Sequence, residues 1–390
     1  MINFIKKKIL FIDHESGHGG SSISLYNKIK VLSKKNYEIS VILKKHSHIV
    51  KKYKNLKVKV FYLEIPTITS LKKLSSNIIS YFKYFFKLTI FIIKNQEFFK
   101  KLNKYDYLHL NHENLFWILK LIKIYNNKIK ISISVRTILE RNIFSKIQIN
   151  LINNEANKKL FITKRNFYEF NYQVNKKKTN NFILENFDLS RQPQNNFLNK
   201  KNKSSNLNIL SISNFSLDRG VDRIVKIAEK LNNEGFKNIK FNILGDYNIN
   251  SWKNIFKTKE SYDLKYFVQQ RKLKNINVLG HKSNTLKFFK KNHILLYLPR
   301  NDSAWGRNII EALNNGLPVI TLGKTNNLII NKKNGYFFNN FKETLIIKTI
   351  KEFYHKRNKL TKMSIAAKDI SKKKNDTKKI SKKLNSFFNY

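Results

Sequence analysis

Cysteine is absent from the 390-residue chain, which excludes a disulfide scaffold, a zinc–thiolate site and thiol catalysis, and fits a reducing compartment. Proline and glycine are scarce, with four and eleven copies. Acid is scarce as well: 25 Asp and Glu face 77 Lys and Arg, a formal charge of +52. Only ten of the basic residues are arginine, against 67 lysines. Base reading favours the bidentate guanidinium, and no nucleic-acid-binding motif is present, so no specific nucleic-acid partner is expected. Long apolar runs are missing too. Residues 1–13 hold three lysines and then a four-residue apolar run, 9–12, which suits a strand and is too short for a leader or a membrane span.

Core-forming material is plentiful. Hydrophobic residues make up 41% and aromatics 13%, which excludes a disordered chain despite the charge. The length exceeds one ordinary core and implies two domains. A field this positive attracts nucleic acid, anionic headgroups or phosphorylated substrates. The bias toward Lys, Asn, Ile and Phe is also what an AT-rich genome imposes on any protein, and that is read as the main source of the excess. In residues 71–101, Leu71, Leu74, Ile78, Phe82, Phe85, Phe86, Thr89 and Ile93 fall at helical spacing with lysines between them. Such a helix either lies on an anionic membrane surface or faces the core, the second being the preferred reading.

Strand-like runs at 9–13, 38–43, 58–63, 107–110, 131–135, 160–163 and 182–185 alternate with helical spacing, as at 24–32 and 115–124. The pattern lapses, then restarts with strands at 207–213, 239–245, 276–280, 293–298 and 317–322 and helices at 222–231 and 307–314. Alternation of this kind implies parallel βαβ units and doubly wound sheets. The expected division is a first domain 1–190, a linker 191–206, a second domain 207–370 and a carboxy-terminal helix 371–390. From residue 341 onward the tail is basic and helical, without strands. The glycines gather at strand ends, where open α/β sheets bind their ligands.

Three segments carry chemical meaning. Gly17-His18-Gly19-Gly20-Ser21-Ser22 follows the first strand and opens a helix, so backbone there can approach a ligand; a plain tight turn fits equally well. It is no dinucleotide fingerprint, because Ser22 holds the third glycine position. Arg219-Gly220-Val221-Asp222 places a cation before a glycine at a helix start, suited to a diphosphate, though a surface arginine reads as well. The sharpest runs from Asn301 through Gly306 and Glu311 to Gly316-Leu317-Pro318-Val319. Gly306 turns the chain into a helix whose N–H groups can meet phosphate, and Glu311, one turn on, can accept from ribose hydroxyls or simply be solvated. Trp117 and Trp305 read as packing residues.

This last stretch resembles the carboxy-terminal signature of retaining glycosyltransferases of family 4 (glycosyltransferase group 1). Gly306, Glu311, Gly316, Pro318 and Val319 match the family's Glu-x7-Glu and Gly-x-Pro-Val pattern. Gly19-Gly20 and the Arg219-Gly220 segment fall where the family has its glycine pair and its Lys-Gly motif, and Asn186 where it often has Asn. The resemblance covers roughly residues 9–338. It implies the GT-B fold: two Rossmann-like doubly wound parallel-sheet domains facing across a cleft. Carried across, Glu311 would hold the donor ribose, and Arg219 would stand in for the lysine on the donor diphosphate. Backbone near Asn308 and Ile309, beside Gly220 and Gly306, would bind the same phosphates. Gly19 and Gly20 would approach donor or acceptor. Ser303 replaces the first Glu of the pair, with Asp302 beside it, and Asn214 replaces an Arg. Arg136 stands where the family often has His; it can stabilise charge but cannot act as a base.

His109 and His112 end the fourth strand and are expected on the acceptor side, with a zinc site as the weaker alternative. No metal or other cofactor is expected. The implied activity moves a hexosyl group from a nucleotide diphosphate sugar to a surface-glycan or lipid-linked acceptor, with retention. Such an enzyme would serve polysaccharide or lipopolysaccharide biosynthesis in the cytoplasm, peripherally at the inner membrane face. Arg219 and Arg136 would stabilise the departing diphosphate. The alternatives are a GT-B epimerase or phosphorylase, a catalytically degenerate GT-B protein that binds sugars or polyanions, and a nucleic-acid binder.

Overall fold

The computed structural model describes residues 6–17, 19–67, 78–174, 180–190, 204–213, 215, 217–245, 268–269, 271–282, 284–300, 306–323 and 328–389. The chain divides into two compact units: Met1–Asn186 together with Thr377–Tyr390, and Phe187–Asp376. Of the expected linker, residues 191–203 lie outside the described residues.

Unit 1 runs β1 (Lys7–Ile12), α1 (Gly20–Leu32), β2 (Tyr37–Leu43), α2 (Ile49–Lys54), β3 (Lys59–Tyr62), α3 (Ile78–Lys94), α4 (Gln96–Lys100), β4 (Tyr107–Leu110), α5 (Ile118–Tyr125), β5 (Lys130–Val135), α6 (Ile143–Glu155), β6 (Lys158–Phe161), α7 (Lys164–Tyr172) and β7 (Asn181–Ile183). Among the described residues its strands form one sheet, ordered β3-β2-β1-β4-β5-β6-β7, and every pair is parallel. The strands are short, near-continuous apolar runs because helices cover both faces. Winding reverses between β1 and β4, so the carboxyl ends of these two strands flank the switch point. In α3, Leu88 and Phe91 are buried, and Phe91 meets Phe99 and Trp117 edge-on, while Phe86 is 67% and Ile93 63% exposed. Residues 68–77 of the expected amphipathic stretch lie outside the described residues. Among the described residues no helix is long and apolar enough to cross a membrane.

Unit 2 runs β8 (Leu207–Ile212), a 3-10 turn (Leu217–Arg219), α8 (Val221–Asn233), β9 (Ile239–Leu244), β10 (Ile276–Gly280), α9 (Leu286–Lys291), β11 (Ile294–Tyr297), α10 (Arg307–Asn314), β12 (Val319–Leu322), β13 (Gly335–Phe338), α11 (Glu343–His355) and α12 (Arg357–Lys374). Its parallel sheet is ordered β10-β9-β8-β11-β12-β13, with the switch point between β8 and β11. Edge strand β13 departs from the sequence reading. It is four residues long, and a Cβ on Gly335 would fall 2.1 Å from Val319 O of β12, so this pairing requires glycine.

The last helix, α13 (Thr377–Phe388), belongs to unit 1. Ile380, Leu384, Phe387 and Phe388 form its buried stripe at helical spacing. Phe388 meets Phe11 and Tyr107 edge-on at centroid distances of 5.5 and 5.1 Å, and Phe387 meets Phe182 at 5.1 Å. Lys158 of β6 donates to Phe387 O at 2.7 Å and Asn389 O at 2.8 Å, setting an ammonium against carbonyls the helix end cannot satisfy itself.

Candidate functional site

The switch point of unit 2 gathers most of the residues singled out in the sequence. Gly220 caps α8 with φ +67°, and a Cβ there would lie 1.8 Å from Leu298 O, so the chain can pass the end of β11 only as glycine. Just before it, Arg219 donates through Nη1 to the hydroxyl of Tyr297, the last residue of β11, at 2.8 Å. Tyr297 is the first cause of an upward shift in the guanidinium's pKa, which keeps Arg219 charged.

The start of α10 packs on the same strand ends. A Cβ on Gly306 would lie 3.5 Å from the Tyr297 ring and 2.1 Å from Asn308 Oδ1, so neither neighbour leaves room for one. Asn308 donates through Nδ2 to Ile212 O of β8 at 2.7 Å, and its Oδ1 is buried without a hydrogen-bond partner among the described residues. Ile212, Asn308, Gly306, Tyr297 and Arg219 therefore form one connected rim. Glu311 follows Gly306 by five residues, about 7–8 Å along the axis at 1.5 Å per residue. Burial raises the Glu311 pKa, Arg307 beside it opposes that rise, and Asp188 adds to it. The N–H of Ile309 bonds Gly306 O at 3.0 Å, so the expected phosphate contact at Ile309 is already spent inside the helix. Ser303, Asp302, Trp305 and Asn214 lie outside the described residues.

Around this rim stand Arg219, Arg223, Arg300 and Arg307, four of the chain's ten arginines. Arg223 donates to Leu298 O and Pro299 O at 3.3 and 3.1 Å, and Arg300 grips Asp222 through both terminal nitrogens. Two of the four thus brace the loops after β8 and β11. Sequence reading missed Arg223, Arg300 and Arg307. The available signal was arginine itself, retained in a lysine-dominated chain where its planar fork matters.

The switch point of unit 1 is arranged differently. Gly17 has φ +88° and faces Ile49. A Cβ on Gly19 would fall 1.9 Å from Glu15 Oε2, and Glu15 also accepts from Ser21 Oγ. The glycine-opened start of α1, where Gly20 begins the helix, is therefore filled by the chain's own carboxylate. Beneath it, buried Asp13 accepts from Ser22 Oγ and from Asn111 Nδ2 at 3.3 Å. Its carboxyl pKa is raised, chiefly by burial. Asn186, another family match, accepts from Ser24 Oγ at 2.9 Å. His18 lies outside the described residues.

His109 is fully buried rather than placed on an acceptor surface. Its ring nitrogens lie 2.7 and 2.9 Å from Ser132 and Ser134 Oγ, and Phe11, Phe387 and Phe388 enclose it. The expected acceptor contact at His109 is corrected accordingly; burial holds its pKa well below the usual imidazole range. His112 accepts from Asn114 N–H through Nδ1 at 3.2 Å and meets His14 edge-on at 4.6 Å. Burial pushes it down to about 4, with the Glu113 carboxylate opposing. Glu113 accepts from the N–H groups of Arg136 and Thr137 at 2.8 and 3.1 Å and from Thr137 Oγ1, so it braces the chain after β5. Arg136 is only 8% exposed, and its charge is felt at Lys28 and His109. Lys28, which the sequence reading passed over, is buried beside Leu25 and Ile29 and donates to Ser134 Oγ at 3.3 Å. Among the described residues no group of three His, Asp or Glu could hold a metal ion.

Residues 192–370 match the family model described as glycosyl transferases, group 1. No curated protein sequence matches the chain. Solved structures resemble it over nearly its whole length. HepE from Anabaena in complex with UDP-glucose has a TM-score of 0.74 at 14% identity, covering 97% of this chain and 98% of that one. A TarM variant from S. aureus in complex with fondaparinux, α-GlcNAc-glycerol and UDP has 0.72 or better in the same range: TM-score 0.73 at 13% identity, covering 98% and 100%. WaaG, a glycosyltransferase involved in lipopolysaccharide biosynthesis, has 0.67 at 12% identity, covering 98% and 100%. At these identities the likeness is one of fold, and together with the two parallel sheets it defines a GT-B protein. The chain therefore carries a glycosyl transferases group 1 domain on a GT-B fold.

Proposed function

We propose that the protein is a retaining glycosyltransferase that moves a hexosyl group from a nucleoside diphosphate sugar to a surface-glycan or lipid-linked acceptor. One observation carries this reading: at the switch point of unit 2, a buried cation, a glycine-opened helix tip and an acid one turn further on share one rim. Arg219 and the tip of α10 supply positive charge to the departing diphosphate as its negative charge builds. Glu311 accepts from the pentose hydroxyls and fixes the register of the donor. The reading includes no resident cofactor. Support for a uridine donor comes from the UDP and UDP-glucose in the HepE and TarM structures, and for a glycan product from the lipopolysaccharide role of WaaG.

The acceptor step is placed at the cytoplasmic face of an anionic membrane. Exposed Phe86 and Ile93 of α3, with Lys87 and Lys94 next to them, support that placement. A thermal-shift series with UDP- and GDP-sugars tests the donor. Stabilisation by one of them, lost in Glu311→Ala, is the expected result. An undiminished shift in that variant would refute the ribose assignment.

A further inference from the structure

We propose that Arg307 is the positioning residue of this donor site: it holds one oxygen of Glu311 and leaves the other, as a carboxylate, to the pentose. The inference rests on the donor reading above. Arg307 Nε donates to Glu311 Oε1 at 2.7 Å, and Nη2 reaches the same oxygen. Oε2 has no hydrogen-bond partner among the described residues. Both donors of the fork thus fall on one oxygen, which fixes the carboxylate plane while its other edge stays open.

The pair is a poor device for stabilising its own helix. A cation in the first turn opposes the helix dipole, and basic-before-acidic is the weaker order for an i, i+4 pair. Arg307 nonetheless occupies the first position of α10, in a chain that uses lysine almost everywhere else. What it provides is charge on a buried acid. Burial and Asp188 both favour a protonated Glu311, and Arg307 is the group that opposes them. Asp188 is itself occupied, accepting from Ser190 N–H and Oγ and from Asn314 Nδ2. A carboxylate accepts from two hydroxyls, whereas a protonated acid turns one of those acceptor positions into a donor.

The test is calorimetric binding of UDP and GDP across pH to wild type, Arg307→Met, Arg307→Lys and Glu311→Gln. Wild type is expected to bind best once Glu311 is ionised. Arg307→Met is expected to bind about tenfold more weakly near pH 6, as when one charge-assisted hydrogen bond is lost, and to recover as the pH rises. Arg307→Lys should restore part of the loss, and in a Glu311→Gln background Arg307→Met should add no pH dependence. Binding by Arg307→Met that equals wild type at every pH, or is weaker by one constant factor, would overturn the proposal. A wild type that binds neither nucleotide would instead sink the donor reading. Carbon-13 titration of the Glu311 carboxyl in ligand-free protein then still decides the Arg307 role: an unchanged midpoint in Arg307→Met rejects it, and a raised one supports it.

Discussion

At the scale of single residues, the arginines carry more information than the charge total. Lysine outnumbers arginine 67 to 10, yet four arginines meet at the carboxyl ends of β8 and β11. Each makes contacts that use the planar fork, from the carbonyls held by Arg223 to the two-pronged grip of Arg300 on Asp222. Arg219→Lys should therefore keep the charge and lose the Tyr297 contact. The expected cost is about tenfold in UDP affinity, with Arg219→Met costing about a hundredfold, read by calorimetry. Histidine makes a second residue-scale prediction. His112 sits in the folded chain at about 4 against about 6.5 unfolded, so between these values the unfolded state binds the extra proton. Stability then falls as pH drops through that window, by up to about 3 kcal/mol from this group, and His109 acts in the same direction. Asp13 and Glu311, whose pKa values are raised, pull the other way. Urea denaturation at about pH 7 and about pH 5 should show the loss, and His112→Asn should flatten it. An unchanged slope in that variant would rule out His112 as its source.

At the scale of elements, what could be read from sequence was what local pattern controls. Buried parallel strands appear as apolar runs, and the strand ends at Gly220 and Gly306 announce themselves because no Cβ fits there. Strand β13 escaped notice because four residues at a sheet edge carry no periodicity. The burial of His109 was hidden for a different reason: its lid, Phe387 and Phe388, lies nearly 280 residues away in sequence. The Arg307–Glu311 pair was legible in principle from its i, i+4 spacing, but the spacing does not say which carboxylate oxygen is taken. One close approach gives an element-scale prediction. Gly220→Ala would put a methyl 1.8 Å from Leu298 O in a left-handed conformation. The loop before α8 must then shift, taking Arg219 with it. Nucleotide affinity should fall at least about tenfold, with a stability loss of about 1–3 kcal/mol. Full affinity in Gly220→Ala would show that Arg219 is not held in place by that turn.

At the scale of the whole molecule, the chain completes its first unit with its last helix. Four large apolar side chains of α13 (Ile380, Leu384, Phe387 and Phe388) close over unit 1, and Lys158 ties down the helix end. Burying each is worth about 1.5–3 kcal/mol, so together they contribute about 6–12 kcal/mol, comparable to the entire stability of an ordinary domain. Unit 2 owns none of these contacts, and its own core is built from β8–β13 and the helices packed on them. Removal of residues 377–390 should therefore unfold unit 1 and leave unit 2 folded, since only unit 1 loses a wall of its core. Calorimetry should show one transition lost and one kept. Amide exchange should find β1, β4 and β5 unprotected while β8 and β11 stay slow. The truncated chain should still bind UDP through the unit 2 rim, more weakly than the full chain if unit 1 contributes contacts of its own. Lys158→Met is the milder version: it strips the ammonium from the helix end without touching the apolar stripe, and should lower the unit 1 transition by a few degrees and leave the other in place. A truncated protein that keeps both transitions would mean that the sheet of unit 1 carries its stability without α13.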